Sequence, residues 1–75
     1  MDSTKTIDTR GLKCPLPIIK AKKAMDELDS GDILEVLSND SGAKEDFPRW
    51  SNRTGHELLR VVDEGDFTRY YIRKK

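Results

Sequence analysis

The only cysteine of this 75-residue chain, Cys14, stands directly before Pro15-Leu16-Pro17, and this stretch is where chemistry is most readily placed. Proline is tolerated in the first turn of a helix, because the N–H it lacks would have no intrahelical partner there. Two prolines at alternate positions therefore predict a helix start, with Cys14 at or just before its first turn. Unpaired backbone N–H groups and the positive end of the macrodipole gather at that end. A thiolate there is stabilised, so the expected thiol pKa lies below its reference of about 8.5. Arg10, Lys13 and Lys20 are close enough in sequence to add positive potential. The expectation is a reactive thiol on a rigid mount, against the alternative of a small buried hydrophobe, which free cysteines often are.

Other candidates are weaker. His56 is the only histidine and could act as a base for Cys14, but nothing in the sequence brings the two together, and a structural role at a strand start fits it better. A thioredoxin-type dithiol is excluded, since Pro17 occupies the second cysteine's place. A cysteine protease needs an oxyanion hole and a substrate groove that so short a chain can scarcely supply. Phe47 and Trp50 have helical spacing and are assigned to the core rather than to a binding platform. The basic run Arg73-Lys74-Lys75 is expected to be a solvated tail, a weak candidate for docking an acidic partner or an RNA phosphate.

These residues must be held by one small domain, spanning residues 1–75. Hydrophobic residues make up 35% and charged residues 37% of the chain, so the core is thin. Fourteen Lys plus Arg balance fourteen Asp plus Glu, which argues against general attraction to nucleic acid or acidic membranes. One cysteine allows no internal disulfide and no Cys-rich zinc site. No signal-like stretch and no run near the ~20 apolar residues of a membrane span is present, so a reducing cytoplasm is expected.

In chain order, Met1 to Thr4 form a loose terminus and Thr6-Ile7-Asp8 a short strand, followed by a loop through Gly11 with Leu12 as a buried anchor. A helix from about Pro15 to Leu28 places Ile18, Ala21, Met25 and Leu28 on one face. Ile33 to Ser38 is a strand. Asp40 or Ser41 is placed to cap a second helix, about Ala43 to Arg53, with Ala43, Phe47, Trp50 and Thr54 on one side and Pro48 inside it. His56 to Glu64 and Phe67 to Lys74 make a hairpin across Gly65-Asp66, in which Tyr70 and Tyr71 point to opposite faces. The predicted fold is an α/β (α+β) two-layer sandwich of order β-α-β-α-β-β, a four-stranded mixed sheet with both helices on one face.

The segment Asp8-Thr9-Arg10-Gly11-Leu12-Lys13-Cys14-Pro15-Leu16-Pro17, followed by Lys20, resembles the signature of the TusA/SirA/YedF-like sulfur carriers. The likeness continues through Asn39-Asp40-Ser41-Gly42-Ala43, Glu45-Asp46-Phe47-Pro48 and Gly55-His56-Glu57-Leu58, and closes at Tyr70-Tyr71-Ile72-Arg73-Lys74. It implies the same sandwich. It also implies that Cys14 carries sulfane sulfur as a persulfide, supported by Pro15, Pro17, Arg10 and Lys20. The implied partners are a cysteine desulfurase or rhodanese-like donor and a downstream relay acceptor serving tRNA thiolation, cofactor synthesis or sulfur oxidation. No metal or organic cofactor is required by such an exchange between thiolates. Ser41 stands where relatives often have proline, and Ser51 where some have a second cysteine. The competing readings are a redox-sensing or regulatory thiol module and an RNA-binding module.

Overall fold

The computed structural model describes residues 3–75. Met1 and Asp2, the first half of the expected loose terminus, lie outside the described residues. The order is β1 (Lys5–Asp8), α1 (Leu16–Asp26), β2 (Ile33–Ser38), α2 (Ala43–Thr54), β3 (Glu57–Asp63) and β4 (Thr68–Arg73). The four strands form one sheet in the order β1-β2-β4-β3, with β1 parallel to β2 and the other two pairings antiparallel. This is the mixed sheet expected from the sequence.

Alternation along the strands decides which side of the sheet is covered. Leu34 and Val36 of β2 and Tyr70 and Ile72 of β4 are almost fully buried, and they meet Ala21, Ala24 and Met25 of α1 and Ala43, Phe47 and Trp50 of α2. Phe47 stacks on Tyr70 with ring centroids 4.6 Å apart, and its other neighbour Trp50 meets it edge-on at 6.2 Å. Truncating such a ring to alanine costs about 3–5 kcal/mol. A domain of this size holds only about 4–11 kcal/mol in total. Phe47 and Trp50 are therefore core, as their spacing indicated.

The uncovered face has its own anchor. Glu35, between buried Leu34 and Val36, points away from the helices yet is only 8% exposed. Thr6 Oγ1 donates to one of its oxygens at 2.7 Å and Arg69 Nη1 to the other at 2.8 Å. These donors, the Thr6 hydroxyl first, hold the carboxyl at about 2 against an ordinary 4.5. One buried carboxylate thus ties β1 and β4 to the strand between them.

Helix ends depart from expectation. Pro15 is the residue before α1 rather than inside it, with Leu16 first and Pro17 second. Neither Asp40 nor Ser41 caps α2: Gly42 holds that position, without a side-chain bond, and Glu45 and Asp46 supply acidic charge in the first turn. Pro48 sits within α2, which continues through it to a left-handed Gly55 (φ 86°). Leu12 is only half-buried and so is Tyr71, whereas Tyr70 is buried. No helix of the described residues is long and apolar enough to cross a membrane.

The basic C-terminus is not a solvated tail. Lys74 Nζ donates to the carbonyls of Met25 and Leu28 at 2.8 and 2.5 Å, at the end of α1, where the Met25 carbonyl also accepts the Leu28 N–H at 3.1 Å. Its backbone also pairs with Gly31 and Asp32, and Arg73 forms an ion pair with Glu57. A cation on those carbonyls opposes the negative helix end.

Two stability predictions follow from these contacts. Lys74→Met lowers unfolding free energy by about 1–2 kcal/mol in urea titration, whereas Lys22→Met on the exposed side of α1 changes it by less than about 0.5 kcal/mol. Because the Glu35 carboxyl is depressed, its contribution is complete above pH 4.5 and is lost as pH falls through about 2. Glu35→Gln is accordingly less stable at pH 7 and shows a flatter stability profile below pH 4.5, measured by thermal unfolding across pH.

Candidate functional site

The loop between β1 and α1 is pinned to the sheet before it reaches the cysteine. Thr9 is buried, and both its backbone N–H and its hydroxyl donate to the Leu37 carbonyl, at 2.8 and 2.6 Å. Gly11, with φ 88°, turns the chain so that its N–H meets Asn39 Oδ1 at 2.9 Å. The Leu12 N–H returns to the Thr9 carbonyl at 3.1 Å and the Leu16 N–H to the Lys13 carbonyl at 2.8 Å. Pro17 is then buried under the helix start. Cys14 lies between these fixed points, exposed, with a cis peptide bond to Pro15. The sequence placed the thiol correctly at a strand-to-helix turn, and it is not a buried hydrophobe.

Its electrostatic surroundings are the reverse of those expected. A cavity of about 210 Å³ beside the sulfur is lined by Cys14, Pro15 and Ile18 from one side and by Asp46, Arg49, Trp50 and Arg53 of α2 from the other. A Cβ built on Gly42 would lie 3.2 Å from Asp40 Oδ2, 3.6 Å from Asp46 Oδ2 and 3.9 Å from Cys14 Cβ. The bare Gly42 thus lets two carboxylates and the thiol segment converge. Asp40 Oδ2 is buried there without a hydrogen-bond partner. The thiol pKa is raised, not lowered: the hydrogen bond to Asp46 leads, followed by partial desolvation and the charges of Asp46 and Asp40.

The basic residues named from sequence do not gather at the sulfur. Arg10 Nη2 binds Asp8 Oδ2 at 2.8 Å, and its guanidinium lies over the Phe67 ring, 4.9 Å from the centroid. Lys20 borders a different cavity with Lys5, Ile7, Leu12 and Glu27. Proximity in sequence is a poor guide here, because Arg10 is held by Asp8 and Phe67, and Lys20, about one turn into α1, borders another cavity. The cations that share the thiol's cavity, Arg49 and Arg53, come instead from α2. Their stripe was legible: Asp46, Arg49, Trp50 and Arg53 recur at three- and four-residue spacing, one helix face. What the sequence could not supply was which partner that face meets.

His56 stays apart from the thiol. Its ring tilts against Trp50 at 5.3 Å, its Nδ1 accepts from the Lys75 N–H at 3.1 Å, and burial pushes its pKa below the ordinary 6.5. It borders a separate cavity with Ser51 and Leu58. Among the described residues, no group of three or more His, Cys, Asp or Glu side chains is placed to hold a metal ion.

Comparison with known proteins agrees with this architecture. Residues 5–74 match the family model described as sulfurtransferase TusA. The chain is 53% identical over 74 residues to YrkI of Bacillus subtilis, named as a candidate sulfur carrier protein, covering 99% of each. It is 38% identical over 73 residues to the sulfur carrier protein TusA of Allochromatium vinosum, covering 97% of this chain and 96% of that one. The crystal structure of a SirA-like protein from Desulfitobacterium hafniense superposes with a TM-score of 0.81 at 27% identity, covering 93% and 96% of the two chains.

The thiol's surroundings lead to a measurable expectation. The rate of Cys14 alkylation by iodoacetamide should rise with pH around a midpoint above the reference of about 8.5. Arg10→Gln and Lys20→Gln should leave that midpoint where it is, since neither side chain borders the thiol's cavity.

Proposed function

The chain belongs to the TusA sulfurtransferase family, and from that premise we propose that Cys14 is the sulfur-bearing residue, loaded as a persulfide by one protein and unloaded by another. The observation that carries this is an exposed thiol on a strand-to-helix turn pinned on both sides, opening onto a cavity shared with α2. A carrier must present one atom to two large partners, and a shallow site serves that better than a closed pocket. Leu16 and Ile19, 44% and 53% exposed just beyond Cys14, give such a partner apolar surface to cover.

In loading, the sulfur of Cys14 bonds to the outer sulfur of a donor persulfide. The bond between the donor's two sulfurs breaks, and the donor's own thiolate leaves with the electron pair and takes up the Cys14 proton. Unloading repeats the exchange at the new terminal sulfur. Pro15 and Pro17 act as the stiff mount, while Arg10 fixes the loop from which the mount springs through Asp8 and Phe67. Lys20 retains at most an outer role, among the lysines of the α1 surface. The donor would be a cysteine desulfurase or rhodanese-like protein and the acceptor a further relay protein, in a reducing compartment such as the cytoplasm. The whole chain would act as one carrier domain.

A redox-sensing thiol fits the surroundings less well. Sensor cysteines are exposed but rely on a depressed pKa to react with oxidant, and two carboxylates push Cys14 the other way.

The test is intact mass after incubation with a cysteine desulfurase, its pyridoxal cofactor and free cysteine. Addition of a single sulfur atom, lost on reduction and absent from Cys14→Ser, is the expected result. Sulfur that still adds to Cys14→Ser removes the assignment.

A further inference from the structure

Sulfur exchange proceeds through the Cys14 thiolate, so a group that holds the Cys14 proton governs when the sulfur can attack, and α2 places a carboxylate beside it. We propose that Asp46 is a positioning residue that retains the Cys14 proton in the empty carrier and keeps the sulfur a thiol until a donor's departing thiolate takes that proton. The inference rests on the persulfide-carrier reading and names a residue for it.

The geometry is specific to this carboxylate. Asp46 lies in the first turn of α2, its N–H bonded to the Gly42 carbonyl at 3.0 Å. Its Oδ2 and Cys14 Cβ approach the same empty space beside Gly42, 3.6 and 3.9 Å from where a Cβ would stand. Asp46 and Cys14 line one cavity. Glu45, its neighbour in the same turn, does not line that cavity and pairs with Arg49 at 3.7 Å.

Other charges around the sulfur are few. Asp40 of the β2–α2 loop adds a second negative charge, and Tyr70 of β4 is near enough to feel both Asp40 and Asp46. Lys13 precedes the cysteine, and Arg49 and Arg53 border the cavity farther along α2. The raised thiol pKa has the Asp46 hydrogen bond as its leading cause.

The step balances without an oxidant. Cys14 Sγ bonds to the donor's outer sulfur, the donor's sulfur–sulfur bond breaks, and its thiolate leaves with the electron pair and takes up the Cys14 proton. Cys14 then has no S–H to give Asp46. The terminal sulfur, now the acidic atom, shares the cavity with Arg49 and Arg53, about one and two turns from Asp46 along the helix.

The experiment is the pH profile of iodoacetamide alkylation of the full chain, followed by intact mass, for wild type, Asp46→Asn, Asp46→Ser and Glu45→Gln. Asp46→Asn and Asp46→Ser should each lower the midpoint by about one pH unit and speed alkylation at pH 7 about tenfold. Glu45→Gln removes the same charge from the same turn and should overlay the wild type. Asp46 variants that overlay the wild type, or a Glu45→Gln shift as large as theirs, overturn the proposal. No sulfur donor is present, so the profile decides the role of Asp46 even where sulfur loading fails, and failed loading with the expected profile counts against the carrier reading alone.

Discussion

The double hydrogen bond from Thr9 to the Leu37 carbonyl is the constraint on which the site depends. It fastens the end of β1 to the end of β2 by both a backbone and a side-chain donor. Everything from Gly11 to Leu16 is then a short loop with both ends fixed. A chain so short fixes Cys14 without any contact to the sulfur itself. The sheet in turn can spare this edge because its stability lies elsewhere, in the Phe47–Tyr70 stack on the covered face and in Glu35 on the open one. Each of those joins elements far apart in sequence, so loss of either loosens the frame that holds the loop.

At the sulfur, two electrostatic effects compete and their sizes decide the outcome. A helix N-terminus offers about half an elementary charge, spread over several N–H groups and weakening within a turn. Cys14 precedes α1 by two residues, with Pro15 between them, so it receives only part of that. Opposing it are the carboxylates of Asp46, which lines the same cavity as the thiol, and of Asp40. Full charges close by outweigh a fraction of one at a distance. The helix-start argument was sound in kind and lost on magnitude, because it counted only charges on the cysteine's own segment.

The same limit marks what was legible in the sequence. β2 was placed at Ile33–Ser38 to the residue, since a run of branched and apolar residues between two turns admits one assignment. The order of elements, the core pair Phe47 and Trp50 and the turn bearing Cys14 followed likewise from local pattern. Missed were features that need two distant segments at once: Lys74 closing the end of α1 from the last strand, Glu35 buried on an otherwise open face, and Asp46, Arg49 and Arg53 meeting a cysteine more than thirty residues earlier. Basic residues at a terminus resemble a solvated tail until the carbonyls they satisfy are known. Periodicity tells which residues share a face but not what that face will meet.

Several departures from local rules lie near the sulfur, and their direction makes physical sense. Asp40 Oδ2 is buried without a partner, α2 begins at Gly42 with no side-chain cap, and large apolar residues of α1 stand in solvent. Each costs stability that a chain selected only for folding could recover, for instance with serine or aspartate at the cap. A cap side chain at Gly42, however, would fill the space into which Asp46 and the cysteine segment converge. A thiol that works as the proposed carrier faces a conflict between access and survival: partners must reach it, and so can oxidants, which attack the thiolate. Carboxylates beside the sulfur ease that conflict by acting on protonation rather than on access. On the proposed carrier reading, the site stays open to partner proteins while the unloaded sulfur stays a thiol, and the uncapped head of α2 is what that arrangement requires.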